Sequence, residues 1–469
     1  MRWALCDNLP MLPAKFRERV LRDLGEEQGR ALCEALESEP PVSLRLNPAC
    51  AGDAEELLRE LGATKRVPWH EDGWYLSERP QFTFDPAFHA GAYYVQEASS
   101  QFVGLLAGDA AGCRILDLCA APGGKTTLYA TLAGPAGLVV ANEIDRRRAA
   151  VLADNVRKWG TGNIAVTTCD PRALGDFEGW FDIVAADAPC SGEGMFRKDP
   201  GACEEWNENN VKQCAMRQDA ILREAWRALK PGGRLIYSTC TFNREEDEGT
   251  LERMLAWAGN EVAEAPETKT DERWGVECGR VGAFRTYRFY PHKTCGEGFF
   301  AAVAQKSPAA ENHMRTPKNR RTLFTPADKA TTCELSRWVR EADEMRFAMV
   351  ADTLYGWPQA QAEAVRQLSE VLPVIYSGAA LGQLFKGRLK PDPALAFYRN
   401  LNREALPQAE LEREEALEYL RRGEVRAAGL AEGMNLICHE GRALGFAKRI
   451  GGRVNNLYPS SLRILKRKP

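Results

Sequence analysis

The sequence predicts an α/β fold built on a parallel sheet with helices on both faces. Between residues 112 and 305, five apolar stretches of strand length alternate with helical stretches, which is typical of strands buried on both faces. The first of these strands runs directly into a glycine-containing loop and a helix, and the last two end near cysteines. We place the five strands at residues 114–118, 138–142, 164–169, 181–186 and 234–238.

Smaller modules are predicted on both sides of this core. Residues 13–36 carry apolar residues at helical spacing, and residues 40–48 predict a short strand between prolines. A polar stretch with prolines and a basic end follows the core and is typical of a linker. We divide the chain into an α/β module (1–105), the catalytic core (106–306), a linker (307–324), a small mixed module (325–390) and a last module (391–469).

Composition excludes several classes of protein. The chain has 469 residues, a net charge of -3 and 44% apolar residues, and no apolar run approaches the roughly 18 residues of a membrane helix. The first residues do not resemble a secretion signal, so we expect a soluble cytoplasmic protein, most simply a monomer, whose 14 cysteines stay reduced. There is no C-x-x-C pair and there are only five histidines, so no metal is expected. Any nucleic-acid contact must use local basic patches.

The loop after the first strand predicts a ligand site. Small residues and glycines between a strand and a helix let a ligand approach the backbone at the carboxyl edge of the sheet. A P-loop would need glycine at the position of Cys119, and no G-x-G-x-x-G motif is present, so nucleotide hydrolysis and dinucleotide binding are disfavoured. The loop comprises Cys119, Ala120, Ala121, Pro122, Gly123, Gly124 and Lys125.

Acidic residues follow the second and third strands. Glu143 lies about 20 residues past the loop, where a carboxylate can accept hydrogen bonds from the ribose hydroxyls of an adenosine ligand. Asp170 is placed to face the adenine edge, although a carboxylate directly before Pro171 can instead cap a helix. Since no cluster of cations is present, this combination favours S-adenosylmethionine over a phosphate ligand.

Two thiols and a carboxylate end the fourth and fifth strands. Carbon 5 of cytosine becomes nucleophilic only after a thiolate adds to carbon 6, while a carboxyl group hydrogen-bonds the ring. Asp187, Cys190 and Cys240 supply these groups, whereas Cys119 and Cys169 are better explained as small buried side chains. An Asp/Asn-Pro-Pro-aromatic end, typical of amino-group methylation, is absent. Chemistry alone leaves open which thiol attacks.

Four motifs resemble the Nop/Sun family of RNA cytosine-5 methyltransferases, in its bacterial RsmF-like branch. They are LDLCAAPGGKT at 116–126, DAPCSGEG at 187–194, YSTCT at 237–241, and RFYPHK at 288–293 followed by GEGFF at 296–300. The resemblance implies a Rossmann-like class I methyltransferase core with S-adenosylmethionine held by residues 119–125, Glu143, Asp170 and Asp187. It also implies that Cys240 is the nucleophile, that Cys190 assists product release, and that Asp187 touches the base. DNA cytosine methyltransferases use the Pro-Cys thiol instead.

The flanking modules are expected to contact RNA. Residues 89–101 resemble the segment that enters the core in the same branch, and the basic last module resembles a PUA-like RNA-binding module, with no acid after Glu440. Residues 197–200 could contact phosphate or form a solvated basic face. We expect small-subunit rRNA as substrate, with transfer RNA as the alternative and a flipped or single-stranded target base. The rival functions are a non-catalytic ribosome-assembly factor and a small-molecule or protein methyltransferase.

Overall fold

The computed structural model describes residues 12–50, 52–311, 324–426 and 429–466. The amino-terminal part forms a four-stranded sheet with helices around it, in which the second, third, first and fourth strands along the chain lie side by side in that order. The helical pattern of residues 13–36 is divided into two helices at Gly25, whose φ of +80° stops the first one. The elements are α1 (Ala14–Leu24), α2 (Glu26–Leu36), β1 (Val42–Leu46), α3 (Ala54–Glu60), β2 (Ala63–Arg66), β3 (Gly73–Leu76), α4 (Pro86–His89), β4 (Tyr93–Tyr94) and α5 (Val103–Ala107).

The central part forms the predicted parallel sheet, extended by antiparallel strands. Its elements are β5 (Arg114–Asp117), α6 (Gly124–Ala133), β6 (Leu138–Asn142), α7 (Arg146–Trp159), β7 (Ile164–Thr167), α8 (Pro171–Gly175), β8 (Phe181–Asp187), α9 (Pro200–Glu205), α10 (Glu208–Ala228), β9 (Leu229–Thr239), α11 (Glu248–Ala258), β10 (Val262–Ala263), β11 (Glu277–Val281), β12 (Phe284–Phe289) and β13 (Phe299–Lys306). Strands β5 to β9 are mutually parallel, and β13 pairs antiparallel with β9. The order along the sheet is β11-β12-β13-β9-β8-β5-β6-β7.

The sheet is covered on both faces, as the apolar strands predicted. Ile115 and Val139 belong to one buried cluster, whereas their neighbours Leu116 and Val140 belong to another on the opposite face. All five predicted strands are present, and the doubly wound α/β fold is confirmed. The strand β9 begins at Leu229, five residues before the prediction, because the Pro-Gly-Gly segment forms an irregularity within the strand instead of ending it.

The carboxyl-terminal part contains two more sheets. Its elements are β14 (Phe324–Pro326), α12 (Lys329–Leu335), β15 (Met345–Val350), β16 (Thr353–Pro358), α13 (Gln359–Val371), β17 (Val374–Ser377), β18 (Ala379–Phe385), β19 (Arg388–Pro391), β20 (Gln408–Glu410), α14 (Arg413–Leu420), β21 (Gly433–His439), β22 (Arg442–Ile450) and β23 (Arg453–Asn456). The sheet orders are β14-β15-β16-β18-β19 and β20-β21-β22-β23.

The small module predicted at 325–390 is not separate from the core. Its strand β17 pairs antiparallel with β7 and so forms the edge of the central sheet. Most of the predicted linker (312–323) and the ends of the chain (1–11 and 467–469) lie outside the described residues. The domain boundaries therefore stay predictions. Within the described part, the helices are too short or too polar to cross a lipid bilayer.

Candidate active site

The residues predicted to carry the chemistry meet at one edge of the central sheet. Because β5, β6, β8 and β9 are parallel, their carboxyl ends open on the same side, where ligands of such sheets bind. The glycine-containing loop follows β5, and Glu143 follows β6. Asp187 ends β8 and precedes Cys190, while Cys240 comes directly after β9. The structure thus brings together residues that lie more than 100 positions apart in the chain.

The two thiols form a close pair. The Sγ atoms of Cys190 and Cys240 are 3.1 Å apart, and the backbone N–H of Cys240 donates to the Cys190 sulfur over 3.3 Å. The hydrogen bond with Cys240, together with burial, raises the pKa of Cys190 well above that of a free thiol. Cys190 is therefore held as the protonated partner at neutral pH.

The carboxylate between the strands is held from two sides. The Lys125 ammonium donates to one oxygen of Asp187 over 2.8 Å, and the Ser238 hydroxyl donates to the other over 2.7 Å. Burial lowers the pKa of Lys125, whereas the negative charge of Asp187 and the hydrogen bond to Asp187 raise this pKa. The net shift of the Lys125 pKa is upward. Lys125 therefore stays charged and connects the loop after β5 to the thiol end of the site.

Hydrogen bonds with β6 and α7 hold the loop after β5 in place. The backbone carbonyl of Asn142 accepts a hydrogen bond from the Ala120 N–H. The Asn155 side chain donates to the Pro122 carbonyl, and the Arg148 guanidinium donates to the Ala121 carbonyl. Gly123 has a φ of +114°, which disfavours any other residue. Burial raises the pKa of the half-buried Cys119 thiol.

Asp117, at the end of β5, is a buried carboxyl beneath this loop. Thr126 donates its hydroxyl to Oδ2 over 2.7 Å, while Oδ1 has no hydrogen-bond partner among the described residues. Burial raises the pKa of Asp117 to about 7, although the Thr126 hydrogen bond opposes the shift. The sequence pattern did not single out Asp117, because one acid at the end of an apolar strand does not change the spacing of apolar residues that predicts the strand.

The two acids predicted to face the adenosine differ in their surroundings. Glu143 is 3% exposed; its Oε1 accepts the Asp145 N–H, while its Oε2 lies 3.3 Å from the Arg148 guanidinium and accepts no hydrogen bond from a described residue. Asp170 caps α8, accepting the Arg172 N–H over 3.0 Å and pairing with its guanidinium. The Arg172 hydrogen bonds lower the pKa of Asp170. The capping alternative for Asp170 is therefore observed, and an adenine contact stays a prediction.

A buried carboxylate, not foreseen from the sequence, holds the loop that carries Cys190. The carboxylate oxygens of Glu246 accept the Ser191 N–H over 3.0 Å, the Gln218 amide over 2.8 Å and the Asn243 amide over 2.7 Å. Gln218 also donates to the Pro189 carbonyl, on the other side of Cys190. The only feature of the sequence that pointed to this carboxylate was the acidic run at 245–248, which an exposed helix start explains equally well.

A second buried pair anchors the turn that carries Cys240. Asp247 is fully buried, accepts the Thr239 hydroxyl over 2.6 Å and pairs with Arg288 over 2.7 Å. The Arg288 guanidinium also donates to the Phe242 carbonyl, two residues past the thiol. Residues from β12 and α1 thus enclose this turn, because Phe16 packs in the same buried cluster as Phe242.

Neither alternative for residues 197–200, a phosphate contact or a solvated basic face, fits Arg197. Its side chain is only 4% exposed and pairs with the equally buried Glu297, while also donating to the carbonyls of Gly296 and Ala35. Asp199 caps α9. Arg197 therefore joins α2 to the segment before β13 and has no free donor face for RNA.

The segment at 89–101 packs against the helix that follows the glycine-containing loop. Arg45 on β1 is 1% exposed and donates to Gln96, to the Gly124 carbonyl over 3.0 Å and to the Thr127 hydroxyl over 2.6 Å. The amino-terminal sheet is thereby tied to α6, and its contact with RNA stays a prediction. Among the residues that the structure describes, no group of three or more His, Cys, Asp or Glu side chains is arranged to hold a metal ion.

Three family models match this chain in order. The model for the N-terminal domain of 16S rRNA methyltransferase RsmF matches residues 12–98, and that for 16S rRNA methyltransferase RsmB/F matches residues 106–305. The model for the methyltransferase RsmF PUA domain matches residues 407–464. The predicted PUA-like module is confirmed by the last of these matches.

Similar proteins and structures agree with these matches. Ribosomal RNA small subunit methyltransferase F of Shewanella loihica is 31% identical over 419 residues, covering 84% of this chain and 83% of the relative. The protein of the same name from Erwinia tasmaniensis is 30% identical, covering 84% of each. A methyltransferase homolog protein from Pyrococcus horikoshii has a TM-score of 0.52 and 27% identity, covering 63% of this chain and 100% of that one. NSun6 from Pyrococcus horikoshii, at 22% identity and a TM-score of 0.54 over 64% and 99% of the two chains, shares the fold. The chain belongs to the RsmF branch of the RsmB/F family of 16S rRNA methyltransferases, as the motif resemblance indicated.

Proposed function

We propose that this chain transfers a methyl group from S-adenosylmethionine to carbon 5 of a cytosine in small-subunit rRNA, with Cys240 as the covalent nucleophile. The observation that carries the proposal is the 3.1 Å pair of thiols beside Asp187, at the carboxyl ends of neighbouring strands. The names of the relatives support small-subunit rRNA as the substrate. A binding-only assembly factor would need neither a paired thiol nor a buried network to hold it.

The residues at the sheet edge fit S-adenosylmethionine. Oε2 of Glu143 is buried, and the hydrogen bond it lacks is one that a ribose hydroxyl can donate. Residues 119–125, Glu143, Asp170 and Asp187 would hold the cofactor. Bound S-adenosylmethionine supplies a methyl group on a sulfonium, which a carbon nucleophile can displace.

The chain's own groups then complete the reaction on cytosine. The Cys240 thiolate adds to carbon 6, and the electron pair of the C5–C6 double bond moves through carbon 4 to ring nitrogen 3. This nitrogen takes up a proton from water, donates it in a hydrogen bond to the Asp187 carboxylate, and gives it up again as the methyl group is transferred. Carbon 5 takes the methyl group, and a base removes the proton from the same carbon. The C5–C6 double bond forms again as the bond from carbon 6 to the Cys240 sulfur breaks. The Cys190 thiol, 3.1 Å away, assists by hydrogen bonding to the departing thiolate.

The test uses methyl-labelled S-adenosylmethionine with purified small-subunit rRNA and, separately, transfer RNA. After digestion to nucleosides, we expect the label in 5-methylcytidine from the rRNA. Cys240→Ala should abolish labelling, while Cys278→Ala, which removes an exposed thiol in β11, should label as the wild type does. Label in another nucleoside, in transfer RNA alone or in protein would reject the proposal, as would undiminished labelling by Cys240→Ala.

A further inference from the structure

The strands β18 and β19 form a hairpin with a two-residue turn. They are joined by two residues, Lys386 with a φ of +50° and Gly387 with a φ of +75°, and two left-handed residues in succession are typical of a tight type I′ turn. The pairing runs without a shift from Phe385 opposite Arg388 to Gly382 opposite Pro391. The hairpin directly follows β17, so its base is attached to the edge of the central sheet.

One face of this hairpin is both aromatic and basic. Residues paired across two antiparallel strands share a face, so Phe385 lies beside Arg388, and Gln383 beside Lys390. All four side chains are exposed, and Phe385 is 69% exposed. The opposite face carries Leu384 and the buried Leu389, which packs into the module's core. We call Gln383, Phe385, Lys386, Arg388 and Lys390 the hairpin face.

The cations of the hairpin face are available for a ligand. Lys386, Arg388 and Lys390 form no ion pair with any residue in the described ranges, and the Lys386 ammonium lies 5.6 Å from the Phe385 ring centroid. Among the nearby acids, Glu334 accepts the Leu389 N–H and Asp328 accepts the Thr331 N–H. Asp328 and Asp352 line a cavity with Leu384 and with Gln383, which is the member of the hairpin face paired with Lys390. Three cations without an ion pair among the described residues therefore share the hairpin face with an exposed aromatic ring.

We infer that the hairpin face binds single-stranded RNA, with a base stacked on Phe385 and phosphates paired with the surrounding cations. An unstacked base offers a planar ring for an aromatic side chain, and its two phosphates lie within reach of cations beside that ring. A protein partner would be expected to bury the apolar ring without requiring three unpaired cations. The inference rests on rRNA as the proposed substrate but not on the thiol chemistry, and it adds a contact outside both the active site and the PUA match.

The experiment measures filter binding of a small-subunit rRNA transcript at several salt concentrations, without cofactor. Phe385→Ala should weaken binding by about tenfold, whereas Phe385→Tyr, which keeps a stacking ring, should bind as the wild type does. Arg388→Ala combined with Lys390→Ala should lower the slope of log affinity against log salt by about 1.4, since each phosphate contact to a single strand contributes about 0.7.

Matched controls lie on α10, where Met216 and Lys212 are exposed on the surface. Met216→Ala and Lys212→Ala should leave the affinity and the salt slope unchanged. Equal affinity of Phe385→Ala and wild type would overturn the inference, and so would control variants that lower the slope as much as the hairpin variants do. A change in sedimentation with Phe385→Ala at unchanged RNA affinity would instead assign the face to a second copy of the chain. If the wild type itself failed to bind the transcript, both the proposed rRNA substrate and the hairpin inference would be overturned. Wild-type binding that Phe385→Ala does not weaken would overturn the hairpin inference alone.

Discussion

The backbone N–H of Ser191 donates to the carboxylate of Glu246, 55 residues further along the chain, over 3.0 Å. Ser191 directly follows Cys190, so the position of one thiol depends on a carboxylate that lies beyond the other thiol in the sequence. The same carboxylate receives amide donors from Gln218 and Asn243, and all of its partners are donors. The relative position of the two sulfurs is thus fixed by a buried network rather than by the strands alone.

Glu246→Gln should slow product release. The substitution replaces one acceptor oxygen with an amide donor that faces other donors, which costs about 1–3 kcal/mol of local stability and displaces the Cys190 loop. We expect covalent protein–RNA adduct to persist about tenfold longer than in the wild type. The measurement is the decay of the gel-shifted species under denaturing conditions. Glu252→Gln, which changes an exposed carboxylate on α11, is the control and should release normally. Wild-type decay in Glu246→Gln would show that the network does not act on release.

Cys190→Ala should still attack cytosine but retain the RNA. Removing the thiol 3.1 Å from Cys240 leaves the nucleophile in place and takes away the hydrogen bond to the departing sulfur. A stable adduct should accumulate on a denaturing gel after incubation with rRNA and cofactor. The double variant with Cys240→Ala should give none. Rapid turnover by Cys190→Ala without adduct would contradict the assigned roles.

Asp117→Asn should change the dependence of stability on pH. The folded pKa of Asp117 is raised to about 7, whereas an unfolded aspartate titrates near 4, so the folded state keeps a proton that the unfolded state has lost between these values. Stability present below about pH 4 is therefore lost as the pH rises to about 7, by on the order of 1 kcal/mol per pH unit. Relative to Asp117→Asn, the wild type should lose urea stability over this range and no further above it. Asp109→Asn, which changes an exposed aspartate, should leave the wild-type dependence intact.

Arg197→Met should destabilise the protein without changing how it binds RNA. The substitution removes the buried partner of Glu297 and leaves only the Lys198 ammonium, 3.4 Å from its carboxylate, so the cost should approach that of a broken buried pair, about 3–5 kcal/mol. Arg280→Met, which breaks an exposed pair with Glu264, should cost at most about 1 kcal/mol. Thermal unfolding measures both effects, and the salt slope of rRNA binding by the folded protein should stay at its wild-type value. A lower salt slope for Arg197→Met than for the wild type would show that Arg197 contacts an RNA phosphate, and would contradict its assignment as a buried structural residue.

Local sequence patterns were sufficient to predict the α/β fold, its five parallel strands and the residues at their ends. Apolar runs of strand length identify buried strands, and parallel strands necessarily present their carboxyl ends on one edge, so the grouping of Asp187, Cys190 and Cys240 followed from order alone. The glycine-containing loop was equally visible, because a strand, small residues and a helix are contiguous in the chain.

Only the tertiary structure decided how these groups are held and which charges remain free. Arg197 and Glu297 are 100 residues apart, and Arg288 meets Asp247 from another strand, so no local pattern distinguishes these buried pairs from solvated charges. The attachment of β17 to β7 was hidden for the same reason, since strand pairing depends on long-range hydrogen bonds. Burial and partner choice are properties of the packed molecule, and they determine whether a charged side chain stabilises the fold, positions a thiol or stays available for RNA.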